Sequence, residues 1–283
     1  MITKAIILAA GLGTRMLPIT KSIPKALLPV GKKPVIQYLV EEVVNSGIDQ
    51  IILVTRGKEK IVENYFKPST ELEKFLIKAK KNKLAKTIQK ISSLAKFNIV
   101  KQRVPRGDGQ ALLLTKHLIE KGPVAVLFED DLVFSKTPCL KQLLKVFKKY
   151  QKPIIALQKV PKKDLSRYGV VKAKKVNDRI FKINDLVEKP SISIAPSNLA
   201  IVGKYILTPE IFKELEKVKP DQSGEIKLTY ALVNFAKKDA LYGYQFEGKR
   251  FDCGNEIGWL KANLEIGLRY SEFKKYLENL DIK

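Results

Sequence analysis

Four short apolar runs, residues 5–9, 51–55, 124–128 and 154–157, are unbroken in hydrophobicity, rich in β-branched side chains and bounded by glycine, proline or charge. A strand wetted on one face alternates apolar and polar residues. Unbroken runs suit strands covered on both faces, as in a parallel sheet between helices. Helical patterns separate them. Residues 35–44 read as a helix stopped by Gly47, residues 109–120 as another, and Thr137-Pro138 as an N-cap with proline at the first helical position. This alternation predicts an α/β fold with a doubly wound sheet over the first 160 residues. Residues 71–96 break the rhythm. Leu72, Phe75, Leu76 and Ala79 form one helical stripe, and Leu84, Ile88 and Ile91 start another after a lysine-rich break, so a helical insertion is expected at about 70–97. Beyond residue 160 the pattern predicts strands near 169–171 and 200–207 and a helix around 209–216. A helix from about 257 to 270 is expected within a C-terminal helical segment at about 256–283. No repeat or linker interrupts residues 1–283, which read as a single domain.

A chain of 283 residues can bury roughly 75% of its unfolded surface, so one core suffices without staples. Two distant cysteines, Cys139 and Cys253, and a single histidine, His117, argue against a protein-only zinc site and a disulfide framework. They point to a reduced, cytoplasmic setting. No apolar stretch approaches the ~20 residues needed to span a bilayer, so no membrane partner is expected. Lys plus Arg number 53 against 29 Asp plus Glu, a net charge of +24 that favours anionic partners without choosing among nucleotides, sugar phosphates and nucleic acid. The lysine-rich stretch 74–96 has only Phe75 and Phe97 near it for base stacking, so nucleic acid is not the expected partner.

The first strand runs into Gly11-Leu12-Gly13-Thr14-Arg15. Glycines at a strand end let backbone N–H groups approach a phosphate, and they equally serve a tight turn. Lys25 follows, its backbone restricted by Pro24 and Pro29. An arginine and a lysine converging on a glycine loop would clamp a polyphosphate. Glu129-Asp130-Asp131 end a buried strand, where ligands gather in open α/β sheets. On residue type alone, Gln102 reads as an exposed strand-end residue, His117 as partly buried in a helix, Glu188-Lys189 as a surface charge pair, and Cys253 as a small core residue.

Ala9-Ala10-Gly11-Leu12-Gly13-Thr14-Arg15 together with Pro24-Lys25-Ala26-Leu27-Leu28-Pro29 resembles the signature of the sugar-phosphate nucleotidylyltransferases. Further segments are similar to one branch, the bacterial UTP–glucose-1-phosphate uridylyltransferases. They include Pro34-Val35-Ile36-Gln37-Tyr38, Asp185-Leu186-Val187-Glu188-Lys189-Pro190, Gly224-Glu225-Ile226-Lys227-Leu228-Thr229 and Asp252-Cys253-Gly254-Asn255, collinear from residue 5 to about 265. The resemblance implies a Rossmann-like α/β fold whose central sheet, mixed but mostly parallel, is flanked by helices. It implies Mg²⁺-dependent transfer of UMP from UTP to α-D-glucose 1-phosphate, giving UDP-glucose and pyrophosphate. By the same resemblance Arg15 and Lys25 are catalytic, and Ala10, Gly11, Gly13, Thr14, Gln102 and Gly107 bind the nucleotide. Gly169, Glu188, Lys189, Asn198 and Gly203 bind the sugar phosphate, and Asp130 and Asp252 hold the metal, with Asp131 ranked behind them. A homo-oligomer, dimer or tetramer, is implied as well.

Three segments depart from the branch. Its Gly-Leu-Gly-His-Ala run is Gly107-Asp108-Gly109-Gln110-Ala111 here, the acids at 129–131 replace Pro-Asp-Asp, and Ala26 stands for a frequent Glu. Gln110 is closer to the thymidylyltransferase branch, so transfer from dTTP, or to another sugar 1-phosphate, is the nearest alternative. A catalytically silent homologue is disfavoured by the retained Arg15, Lys25, Asp130, Glu188, Lys189 and Asp252.

Overall fold

The computed structural model describes residues 2–57, 60–119 and 122–279. Strand β1 (Lys4–Ala9) opens the chain, and a two-residue hairpin, β2 (Pro29–Val30) with β3 (Lys33–Pro34), precedes helix α1 (Val35–Asn45) and strand β4 (Gln50–Thr55). Helices α2 (Ile61–Tyr65), α3 (Thr70–Lys78) and α4 (Asn82–Ser92) lead to β5 (Lys96–Lys101). Then come α5 (Gly107–Leu114), β6 (Val124–Phe128), β7 (Asp131–Phe134), α6 (Cys139–Tyr150) and β8 (Ile154–Lys159). The carboxyl half adds β9 (Val170–Lys175), β10 (Ile180–Val187), β11 (Leu199–Leu207), α7 (Pro209–Leu215) and α8 (Leu228–Ala236). Strands β12 (Leu241–Gln245) and β13 (Lys249–Asp252) and helices α9 (Glu256–Gly267) and α10 (Ser271–Glu278) complete the chain.

Nine strands form one sheet in the order β5-β4-β1-β6-β11-β8-β12-β10-β9. The four strands from β5 to β6 are parallel, and β8 pairs in parallel with β12; the remaining neighbours run antiparallel. The α/β fold is therefore as expected, with parallel pairing concentrated in the amino-terminal half. Both faces are covered. Ala5, Ile7 and Ala9 of β1 pack with α1 and α6, whereas Ile6, Leu8 and Ala10 pack with α5, α7 and α8. That division explains why the strand shows no polar alternation.

Several local expectations change. Pro138 is extended (ψ 136°), so α6 starts at Cys139 and Thr137 caps nothing with its side chain; its carbonyl instead accepts from the Gln142 amide. The helix predicted at 109–120 starts at Gly107 and gives way to a 3-10 turn at Lys116–Leu118 that leaves His117 exposed; Glu120 lies outside the described residues, as do 280–283. The insertion is the hairpin α3–α4, broken by Lys80 in the left-handed region (φ 56°).

At the sheet centre, β11 carries a bulge between Val202 and Tyr205. Lys204 in it is fully buried, its Nζ 2.7 Å from Glu42 Oε2 on α1. The other Glu42 oxygen accepts the Leu140 N–H of α6 at 2.9 Å. One carboxylate thus ties α1, α6 and β11 together. Removing one partner of a buried pair strands the other charge at a cost of about 3–5 kcal/mol. K204A should lower the free energy of urea unfolding by that order, and K204M/E42Q, which leaves no lone charge, should lose less. Equal losses in the two variants would contradict this account.

Candidate active site

The carboxyl ends of β1, β5 and β6 open onto a cleft of about 370 Å³ lined by Ala10, Gly11, Gly13, Thr14, Arg15, Lys25, Gln102, Gly107 and Asp130. A second cavity of about 290 Å³ adjoins it and is lined by Gly169, Glu188, Lys189, Gly203 and Asp252. Arg15, Gly107, Asp108 and Asp130 belong to both walls. The residues expected to bind nucleotide therefore fall in one cavity. Those expected to bind sugar phosphate fall in the other, with one exception. Asn198 lies exposed ahead of β11, outside both linings, and its carbonyl accepts the Val160 N–H. The start of β11 is pinned to the end of β8 there, so that correction follows from strand pairing.

The strand-to-loop transition is built by glycine. Gly13 adopts φ 67°, and the Met16 N–H closes a turn onto its carbonyl at 2.8 Å. Lys25 lies in a 3-10 turn between Pro24 and Leu28 and reaches under this loop. Its Nζ is 2.7 Å from Asp130 Oδ2 and 3.4 Å from Glu129 Oε1. Burial works against the ammonium, but these two carboxylates outweigh it and hold its pKa above the ordinary lysine range. Burial pushes the Glu129 carboxyl up to about 7 against the pull of Lys25. Asp130 stays below the usual carboxylate range because Lys25, then Arg15, overcome its burial.

Asp252 arrives from far along the chain. The β7–β13 ribbon pairs Asp252 with Asp131, and the Cys253 N–H donates to the Asp130 carbonyl at 2.8 Å. Arg15 bridges the two acids, 3.6 Å from Asp130 and 3.9 Å from Asp252, while its side chain stays half exposed. Tyr168 Oη donates to Asp252 at 3.3 Å, and Arg167 lies 3.7 Å away. A Cβ built on Gly254 would stand 2.5 Å from Asp130 Oδ2, 2.7 Å from Arg15 Nη2 and 3.0 Å from Asp252 Oδ1, so its missing side chain leaves a space that the Arg15 guanidinium shares with the two carboxylates. Asp131 turns away from that space. It accepts from the Gly203 N–H at 2.7 Å and from Arg250. A Cβ at Gly203 would sit 2.6 Å from Phe128, so only glycine fits there.

On the second cavity, Glu188 accepts from Thr229 Oγ1 at 2.9 Å, and Lys189 holds a left-handed backbone (φ 45°) directly before Pro190. A bulky residue with positive φ is strained, and such strain collects at ligand sites. Gln102 is buried, contrary to its reading as an exposed residue. Its Nε2 donates to the Gly107 carbonyl at 2.9 Å and to Gln110 at 2.6 Å. Arg250, Glu225 and Thr229 escaped notice as site residues. A usable signal existed for Arg250, two positions before Asp252 on a strand and hence on the same face. Burial pushes the Cys253 thiol up, which fits the expected core role.

The sequence pattern of the family described as "Nucleotidyl transferase" matches residues 4–267. A Bacillus subtilis relative named UTP–glucose-1-phosphate uridylyltransferase is 41% identical over 276 residues, covering 98% of this chain and 94% of that protein. A solved UDP-glucose pyrophosphorylase complexed with UDP-glucose is similar with a TM-score of 0.86 at 41% identity, covering 95% of this chain and 100% of the other. A UTP-bound UGPase from Acinetobacter baumannii aligns with a TM-score of 0.91 at 36% identity, covering 99% and 100%.

Burial pushes Asp108 up to about 6, with Glu188 and Glu225 adding repulsion and the Leu228 and Gly109 amides opposing it. The native state then holds this proton where the unfolded chain, with its carboxyl near 3.8, has released it. Native stability attributable to Asp108 is full below the unfolded value and falls as pH rises toward 6. D108N removes that titration. Between pH 4 and pH 6.5 its urea stability should therefore rise relative to the parent chain, by at most ~3 kcal/mol. A stability difference that does not change with pH would show the sign to be wrong.

Proposed function

Because the chain belongs to the nucleotidyl transferase family, we propose that it transfers UMP from UTP to α-D-glucose 1-phosphate, forming UDP-glucose and releasing pyrophosphate. The observation that carries this reading is the meeting of Arg15, Lys25, Asp130 and Asp252 around the wall between two cavities. A cleft for the nucleotide and a neighbouring one for the sugar phosphate put a nucleophile and an α-phosphorus on either side of that wall.

A phosphate oxygen of glucose 1-phosphate is already anionic, so attack on the α-phosphorus requires no general base. Alignment and charge neutralisation carry the rate. Arg15, half exposed at the mouth, and Lys25, buried beneath the glycine loop, would bind the triphosphate and stabilise the departing pyrophosphate. The backbone of Gly11 and Gly13 and the Thr14 hydroxyl would receive its phosphates. With its Nε2 committed inside the loop, Gln102 has its amide oxygen left as an acceptor for the uracil imide N–H. Glu188 would accept from hexose hydroxyls, Lys189 would meet the sugar phosphate, and Gly169 and Gly203 would let the sugar lie against backbone.

Asp130 and Asp252 fit Mg²⁺ as its protein ligands. The two carboxylates approach one another around the Cβ-less Gly254, where the Arg15 guanidinium now lies against them. Mg²⁺ favours one or two carboxylates with phosphate oxygens and water, and bound there it would neutralise phosphate charge. Among the described residues no helix is long and apolar enough to cross a membrane; a cytoplasmic setting completes the reading.

UDP-glucose formation should be abolished by a chelator and restored by Mg²⁺. K25A and D130N should each lower turnover about 10²–10³-fold, the order seen when one transition-state charge partner is lost. Near-parental rates in both would refute the assignment. Parallel assays with dTTP test the alternative raised by Gln110; faster product formation with dTTP would replace UTP as the substrate.

The implied homo-oligomer has a surface to match. Ile257, Leu260, Leu264 and Leu268, spaced for one helical face along and just past α9, are each about half exposed or more. We assign this row to contact with a second copy of the chain. L260E/L264E should sediment as a monomer where the parent sediments as an oligomer, and an unchanged mass would remove α9 from the interface.

A further inference from the structure

Position 108 lies on the wall shared by both cavities, and its side chain is already engaged. Asp108 Oδ1 accepts the Leu228 N–H at 2.9 Å. Leu228 is the first residue of α8, whose N-cap position holds Lys227 and no side-chain cap of its own. Asp108 therefore caps that helix from the first turn of α5, satisfying a donor that would otherwise lack an intrahelical partner. The backbones on either side are joined as well. The Ile226 N–H donates to the Arg106 carbonyl, and the Gly109 N–H donates to the Ile226 carbonyl, both at 2.9 Å. Gly107 and Gly109 permit this approach, because a Cβ on either would stand 2.4 or 2.7 Å from the Ile226 oxygen.

The residue after Leu228 extends the connection. Thr229 Oγ1 donates to Glu188 Oε2 at 2.9 Å, so the start of α5, which carries Gly107 beside the nucleotide cavity, is linked through the start of α8 to the acceptor in the sugar cavity. We propose that Asp108 is a positioning residue: by holding the first turn of α8 it fixes Thr229, and through Thr229 it sets Glu188 for the sugar phosphate. This inference rests on the reading of Glu188 as the acceptor for sugar hydroxyls. A cap that only stabilised α8 would change folding stability without distinguishing the two substrates.

The test is a double-mutant cycle on initial rates with UTP and glucose 1-phosphate. D108A should raise KM for glucose 1-phosphate about tenfold while KM for UTP and kcat each move less than threefold. D108N, whose amide oxygen still accepts the Leu228 N–H, should return KM to within threefold of the parent. T229V should reproduce the tenfold rise, and D108A/T229V should show about tenfold, not a hundredfold, because both changes break one chain of contacts. D108V, which removes the acceptor without leaving a cavity, serves if D108A does not fold, with the same result expected. Equal effects on both substrates, no rise in the variants lacking the acceptor, failure of D108N to restore KM, or a hundredfold product in the double variant would each overturn the proposal. Absence of UDP-glucose from the parent chain would instead remove the functional reading itself, and is seen before any variant is made.

Discussion

A lysine ammonium buried beneath a glycine loop is the interaction on which the cleft depends. Taking Lys25 out of water is unfavourable, and only close carboxylates offset that cost. Asp130 and Glu129 supply them, so the charged ammonium is kept in place before any phosphate arrives. The same carboxylates cannot be left without cations, and Arg15 and Lys25 answer them from the amino-terminal loop. On the proposed reading, a ligand with three phosphates would enter a site whose acids already have cationic partners and would exchange partners there. Such preorganisation is what electrostatic catalysis requires.

The remote acid is delivered by backbone. The two-stranded ribbon of β7 and β13 carries Asp252 to the carboxyl end of β6 and places it opposite Asp131. Asp131, spent on Gly203 and Arg250, anchors that ribbon to β11, while Arg250 lies 4.5 Å from the Tyr168 ring centroid and Tyr168 in turn reaches Asp252. Three consecutive acids thus have three employments. Glu129 sits under the glycine loop beside Lys25, Asp130 faces the cleft, and Asp131 braces the ribbon.

Much of this was legible in the sequence. The unbroken runs 5–9, 51–55 and 124–128 identified strands covered on both faces, and the ordered motifs pointed to the residues that line both cavities. What escaped shares a physical cause: it depends on partners distant in sequence. Strand β10, with its polar Lys182 and Asp185, shows too little pattern to announce itself without β9 and β12 beside it. Gln102 reads as a surface residue until the 103–106 loop and the start of α5 fold back over it. Asn198 follows a motif but is placed by the end of β8, and Thr137 resembles a cap only if the extended backbone of Pro138 is ignored.

The bulge in β11 gives two adjacent positions opposite employments: the amide of Gly203 serves the Asp131 carboxylate, and Lys204 serves Glu42. A slip of one residue would bring a long cation to the spot where Phe128 tolerates no side chain and would leave Glu42 facing none. The middle strand is therefore keyed to its neighbours by chemistry as well as by hydrophobicity, and the floor of the cleft inherits its alignment from an ion pair on the other side of the sheet.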